Sequence, residues 1–77
     1  MILSFKGVFY SAKQGSPIFA IFSGRVVFVG DLSGYGKTLI IDHGDHYYSV
    51  YSHTKEIFVR EGLEVSQMEK IATVSEG

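Results

Sequence analysis

Short apolar runs broken by turn residues recur along the whole chain. They are Val8 to Tyr10, Pro17 to Ile21, Arg25 to Val29, Thr38 to Asp42, Tyr47 to Tyr51, Ile57 to Val59 and Ile71 to Val74. β-Branched and aromatic side chains fill the runs, and Gly, Ser and Asp fill the gaps, a pattern that predicts strands joined by turns. Alternation along Tyr47 to Ser52 places Tyr47, Ser49 and Tyr51 on one face and Tyr48, Val50 and Ser52 on the other. Only Lys55 to Met68 invites a helix. Gly62 interrupts it, and Ile57, Val59, Leu63 and Val65 do not keep a 3.6-residue period, so it too reads as strand and turn. Pro17 opens a strand, where its missing N–H does least harm.

The fold class is therefore all-β, a small barrel-sandwich-like domain of short antiparallel strands. No repeat or linker divides the chain, so residues 1–77 form a single domain, read as part of a longer protein. At 77 residues and 45% hydrophobic content the chain can bury a core, though near the size where one core gives only marginal stability. A net charge of −1 with scattered Lys and Arg offers no basic face for nucleic acid or anionic lipid. No apolar stretch reaches the roughly 18 residues of a spanning helix, and Met1 to Ser4 is too short for a signal peptide. Any export signal is thus expected outside these residues. The absence of cysteine removes disulfides and thiolate chemistry.

Four groups of residues compete as carriers of chemistry. Gly30 to Thr38 resembles a phosphate loop, but five residues separate Gly30 from Gly36, and Thr38 to Asp42 is strand-like rather than a helix start. A hairpin turn is expected there. His43, His46 and His53 are potential zinc ligands with Asp42 and Asp45 nearby, yet two of them flank the Gly44-Asp45 turn, where they are expected to face solvent. The aromatic residues exceed what one face can hold, so some tyrosines are expected in solvent as a platform for glycan or peptide. Lys70, after the return from Val59 to Val65, suggests the displayed lysine of a biotinyl or lipoyl carrier, but Met68-Glu69-Lys70 lacks the Met-Lys-Met tip.

Taken in order, five segments resemble LytM/lysostaphin-type peptidoglycan metallopeptidase domains. They are Phe5 to Phe9, Gly15 to Ala20, Ser23 to Gly30, Gly34 to Gly44 and Tyr48 to His53, and the stretch from Gly62 to Ile71 continues the order. The resemblance implies a zinc site made from a His-x-x-x-Asp pair and a later His-x-His strand, with an assisting histidine from a Tyr-x-His segment. His53 matches that assisting histidine. Phe5 and Phe9 stand at the positions of the first two ligands, four residues apart on what is expected to be one strand, and the His-x-His segment has no counterpart before Gly77. Met68 stands where the family favours glycine.

Phenylalanine has no lone pair for a metal, so the resemblance implies a degenerate domain similar to murein hydrolase activators. No zinc or other cofactor is expected in it, and no residue is assigned as catalytic. Such a module would bind or regulate a peptidoglycan hydrolase, an amidase for example, or peptidoglycan itself, in a periplasmic or extracellular envelope compartment. The partner-binding candidates are Phe5, Phe9, Tyr47, Tyr51 and His53, with Tyr51 and His53 expected to share one groove-facing strand side. The alternatives are a zinc endopeptidase whose other ligands lie outside this chain, and a carrier or structural domain.

Overall fold

Nine strands and no helix build the described part of the chain in the computed structural model. The structure describes residues 14–75 in full, and the backbone of residues 2–5 and 8–11. The strands are β1 (Ile2–Phe5), β2 (Val8–Ser11), β3 (Pro17–Phe19), β4 (Gly24–Leu32), β5 (Gly36–Gly44), β6 (Tyr47–Ser52), β7 (Thr54–Ile57), β8 (Glu64–Val65) and β9 (Lys70–Val74). Six of them form one antiparallel sheet in the order β2-β1-β6-β5-β4-β8, and three form a second in the order β3-β9-β7. The all-β expectation holds, and residues 55–68 contain no helix.

Turn chemistry sets the register. Gly30 to Thr38 is the β4–β5 hairpin, closed by the Tyr35 amide donating to the Leu32 carbonyl at 2.9 Å, so this segment cradles no phosphate. The β5–β6 turn passes through Gly44, Asp45 and His46, all at positive φ, and the Asp42 carboxylate accepts from the Gly44 amide at 2.8 Å. Met68 holds φ at 67°, the left-handed conformation that a glycine adopts freely, and its amide donates to the Ala20 carbonyl at 2.8 Å. The return turn therefore forms without glycine.

Several details differ from the sequence reading. β1 and the two-residue β8 were not expected, and β7 ends at Ile57 where the predicted strand began. Phe5 and Phe9 lie on two strands of a hairpin, opposite Val8 and Ser4, rather than on one strand. β6 ends at Ser52, and His53 turns to a φ of 54°, so it does not continue the alternation of Tyr47, Ser49 and Tyr51. Lys70 opens β9 paired with Phe19, with its ammonium 5.4 Å from the centre of the Phe58 ring. It sits at no hairpin tip, which removes the geometric basis of the carrier reading.

Between the sheets lies a core of Ile18, Ala20, Val26, Leu39, Ile41, Tyr51, Val59, Val65, Ile71, Ala72 and Val74. Its polar members are matched among the described residues. Thr38 donates to the Gly36 carbonyl and Thr54 to the Lys37 carbonyl, both at 2.9 Å, and no described buried side-chain polar atom lacks a partner. Among the described residues no helix is long and apolar enough to cross a membrane.

Candidate functional site

The segment from Ala20 to Gly24 leaves β3 and enters β4 along the edge of the core. Its start is pinned to the smaller sheet, because the Ala20 amide donates to the Glu69 carbonyl at 2.9 Å while its carbonyl receives the Met68 amide. Its end must pass close under β5. A Cβ on Gly24 would lie 2.5 Å from the Asp42 carbonyl oxygen and 2.8 Å from an Ile41 methyl, so only glycine fits there. This path sets Phe22 and Ser23 opposite His43 of β5 and Tyr47 of β6. Two adjoining hollows result, sharing Ser23 and His43. One, of about 410 Å³, runs past Arg25, Asp42 and Glu64. The other, of about 440 Å³, lies between Phe22 and Tyr47.

His43 stands at the junction, and its ring is fixed on both sides. Nδ1 lies 2.9 Å from the Ser23 carbonyl, and Nε2 lies 2.7 Å from the Ser49 hydroxyl. A carbonyl has no proton to give, so Nδ1 carries the hydrogen and donates. The chain then runs inward. Ser49 Oγ lies 3.0 Å from the Tyr51 hydroxyl oxygen, and that oxygen accepts from the Ile21 amide at 3.2 Å. Phe22 meets the His43 ring edge-on, with centroids 5.9 Å apart.

A serine hydroxyl on a histidine whose other nitrogen is oriented by a carbonyl has the connectivity of an activated nucleophile. Burial decides against it. Ser49 is 0% exposed and its oxygen is also committed to Tyr51, so no substrate carbonyl can reach it. The arrangement positions groups rather than attacking a bond.

Burial also acts on Tyr51, pushing its phenol above the ordinary value of 10.0, while the hydrogen bonds from Ser49 and Ile21 oppose the shift. The folded state thus holds this proton more tightly than the unfolded chain does. The stability it contributes is complete below pH 10 and is lost as pH climbs from there through the higher folded value. In unfolding measurements across that range, the advantage of the parent over Tyr51→Phe is expected to shrink. A gap that stays constant above pH 10 would contradict the assignment.

The partner-binding candidates separate in space. Tyr47, half-buried, lines the aromatic hollow. Tyr51 is fully buried, so it supports the cleft from beneath and offers no surface to a partner. His53 lies six residues from Tyr47 along β6, roughly 20 Å of extended chain. There its amide donates to the Tyr35 carbonyl at 2.9 Å, and its carbonyl accepts from the Ser75 amide at 2.8 Å. It does not line the cleft around His43. The side chains of Phe5 and Phe9 lie outside the described residues. Tyr48 is the exposed tyrosine of β6.

His43 does not turn to solvent as expected, whereas His46 does. Among the described residues no group of three or more His, Cys, Asp or Glu is placed to hold a metal. Phenylalanine at positions 5 and 9 brings no metal donor to the places that the resemblance matches to zinc ligands. Sequence reasoning missed Phe22, Ser23 and the inward-facing Ser49. The signal available for them was Gly24, a glycine at a strand start, which marks close backbone approach.

Comparison with known proteins follows the same lines. The profile of peptidase family M23 matches residues 4–77. Lipoprotein NlpD of Yersinia enterocolitica is 48% identical over 65 residues, covering 83% of this chain and 67% of that protein. The murein hydrolase activator NlpD of Escherichia coli K12 is 44% identical over 70 residues, 90% of this chain but 18% of its own length. The E. coli K12 lipoprotein YgeR is 41% identical over 70 residues, covering 90% of this chain and 28% of that protein. The chain thus spans about two thirds of one of these relatives and under a third of the other two. With the family profile matched along almost its whole length and an all-β fold of two antiparallel sheets, this chain belongs to peptidase family M23.

Proposed function

We propose that this chain is a non-catalytic LytM-type module of a bacterial cell-envelope protein, which binds or regulates a peptidoglycan hydrolase during cell-wall remodelling or division. One observation carries the reading. The chain is 44% identical to a murein hydrolase activator over 90% of its length, and phenylalanines stand at the two positions that the family resemblance matches to zinc ligands. A phenyl ring supplies no lone pair, so it cannot share in making a zinc-bound hydroxide. What the cleft does offer is recognition. Phe22 and Tyr47 form an apolar hollow beside a polar one edged by Arg25, Asp42 and Glu64, the mixture that selects a protein segment over a bare glycan. Relatives named as lipoproteins favour an envelope location, periplasmic or extracellular.

The test is reconstitution on purified sacculi. The chain alone is expected to release no soluble muropeptides and, by elemental analysis after dialysis against zinc, to hold no stoichiometric metal. Added to a cognate amidase, it is expected to raise muropeptide release by tenfold or more, a population shift of about 1.4 kcal/mol toward the competent hydrolase. Chelator-sensitive release by the chain alone, with one zinc per chain, would establish the endopeptidase reading instead.

A further inference from the structure

We infer that the hydrogen-bond chain through His43 is a pH-sensitive latch on the aromatic wall of the cleft, closed when His43 is neutral and released when it is protonated. The latch grips a three-residue segment at both ends. The Ile21 amide is held by the Tyr51 hydroxyl and the Ser23 carbonyl by His43 Nδ1, and between these two points the segment carries Phe22. Ser49 joins the two grips, at 3.0 Å from Tyr51 and 2.7 Å from His43.

Proton counting sets the direction. With His43 neutral and Nδ1–H committed to Ser23, Nε2 is an acceptor. Ser49 then donates its one hydrogen to Nε2. The 3.0 Å between the Ser49 and Tyr51 hydroxyl oxygens suits either as donor, so here Tyr51 donates to Ser49, and the Ile21 amide donates to Tyr51. Every member gives one proton and the run points one way. Protonation of Nε2 reverses it at Ser49, which must accept from His43 and turn its own hydrogen to the Tyr51 oxygen. Tyr51 then receives both Ser49 and Ile21, and its own proton has no acceptor among the described residues. Because Tyr51 is 0% exposed, water cannot take that proton in the closed state. A buried hydroxyl left without an acceptor is unfavourable, and the chain relaxes at its longest link, the 3.2 Å bond to Ile21. That frees the β3 end of the Phe22 segment while Ser23 stays held.

The groups that face the His43 ring among the described residues are few. Arg25 comes from β4, Glu64 from β8, and Tyr47 and Tyr51 from β6. Asp42 precedes it on its own strand and caps the Gly44 amide, with Asp45 and His46 in the following turn. Arg25 and Glu64 lie 3.8 Å apart and are both well exposed, so they neutralise one another at the cleft mouth. None of these groups takes part in the inward chain except Tyr51.

The latch rests on the geometry alone, whereas its consequence for partner binding rests on the regulatory reading above. Long-range proton–nitrogen NMR of the isotopically labelled chain tests the first. His43, identified by its contact with the Phe22 ring, is expected as the Nδ1–H tautomer while it is neutral. As His43 titrates, the Ile21 amide is expected to shift with the same midpoint and to lose about tenfold of its exchange protection. In Ser49→Ala, His43 should still titrate while the Ile21 response disappears. An Nε2–H tautomer, or an Ile21 amide indifferent to His43 in the parent chain, overturns the latch, and the parent measurements stand even if the variant does not fold. Affinity for a cognate amidase is then expected to fall with the same midpoint in the parent but not in Ser49→Ala. An amidase that binds at no pH would sink the regulatory reading and leave the latch standing on the NMR result.

Discussion

Tyr51→Ala is expected to leave the chain largely unfolded at room temperature, whereas Tyr51→Phe should fold with a lower melting temperature. The ring is 0% exposed and packs in the core with Leu39 and Ile41. Truncating such a ring costs about 3–5 kcal/mol, against a total stability of roughly 4–12 kcal/mol for a domain of this length. Removal of the hydroxyl alone strips the Ile21 amide of its acceptor and Ser49 of a partner, costing about 1–3 kcal/mol. Urea unfolding of the three proteins distinguishes packing from hydrogen bonding. If Tyr51→Ala lost less than about 1 kcal/mol, Tyr51 would not be the central core side chain described here. The same comparison bears on the cleft, because in folded Tyr51→Phe the Ile21 amide has lost the acceptor that holds the Phe22 segment.

The all-β class was legible because its signal is local. Period-two alternation and glycine-marked turns recur within every ten residues or so, and those patterns set strands whatever the distant contacts are. β8 was not legible for the opposite reason. Glu64 and Val65 count as a strand only because Gly24 and Arg25 of β4 lie beside them, a pairing across some forty residues that leaves no local trace. The site shows the same divide. Alternation put Tyr47 on the face of Ser49 and Tyr51, and Tyr47 lines the aromatic hollow. Tyr51 was assigned to the right face, but alternation cannot say whether a face meets solvent or a second sheet. His53 failed at a single dihedral, a left-handed residue that ends the strand and breaks the period. His43 was the largest miss. Its partners Ser23 and Ser49 lie 20 and 6 residues away and are as common in turns as in sites, so only the folded path of residues 20–24 brings them together.

Gly24→Ala is expected to damage stability and the cleft together, which no other substitution among the described glycines should do. The added methyl would sit 2.5 Å from the Asp42 carbonyl oxygen, 2.8 Å from the Ile41 γ-methyl and 3.0 Å from His43 Nδ1. Two of these obstacles cannot step aside, since one is backbone and the other is packed in the core. The β4 entry must therefore move away from β5, at about 1–3 kcal/mol for forced overpacking. That movement carries Ser23 with it, and the 2.9 Å bond from His43 to the Ser23 carbonyl lengthens or breaks. Gly15→Ala is the matched control. Its new methyl meets nothing within 4 Å, but its φ of 81° imposes a backbone cost of about 1–2 kcal/mol. The two variants should thus lose comparable stability for different reasons. Only Gly24→Ala should release the His43 Nδ1 proton to rapid exchange and weaken amidase activation. A Gly24→Ala protein with parent-like melting and an unaltered His43 ring signal would mean that β4 does not pass this close beneath β5, and the cleft would have to be redrawn.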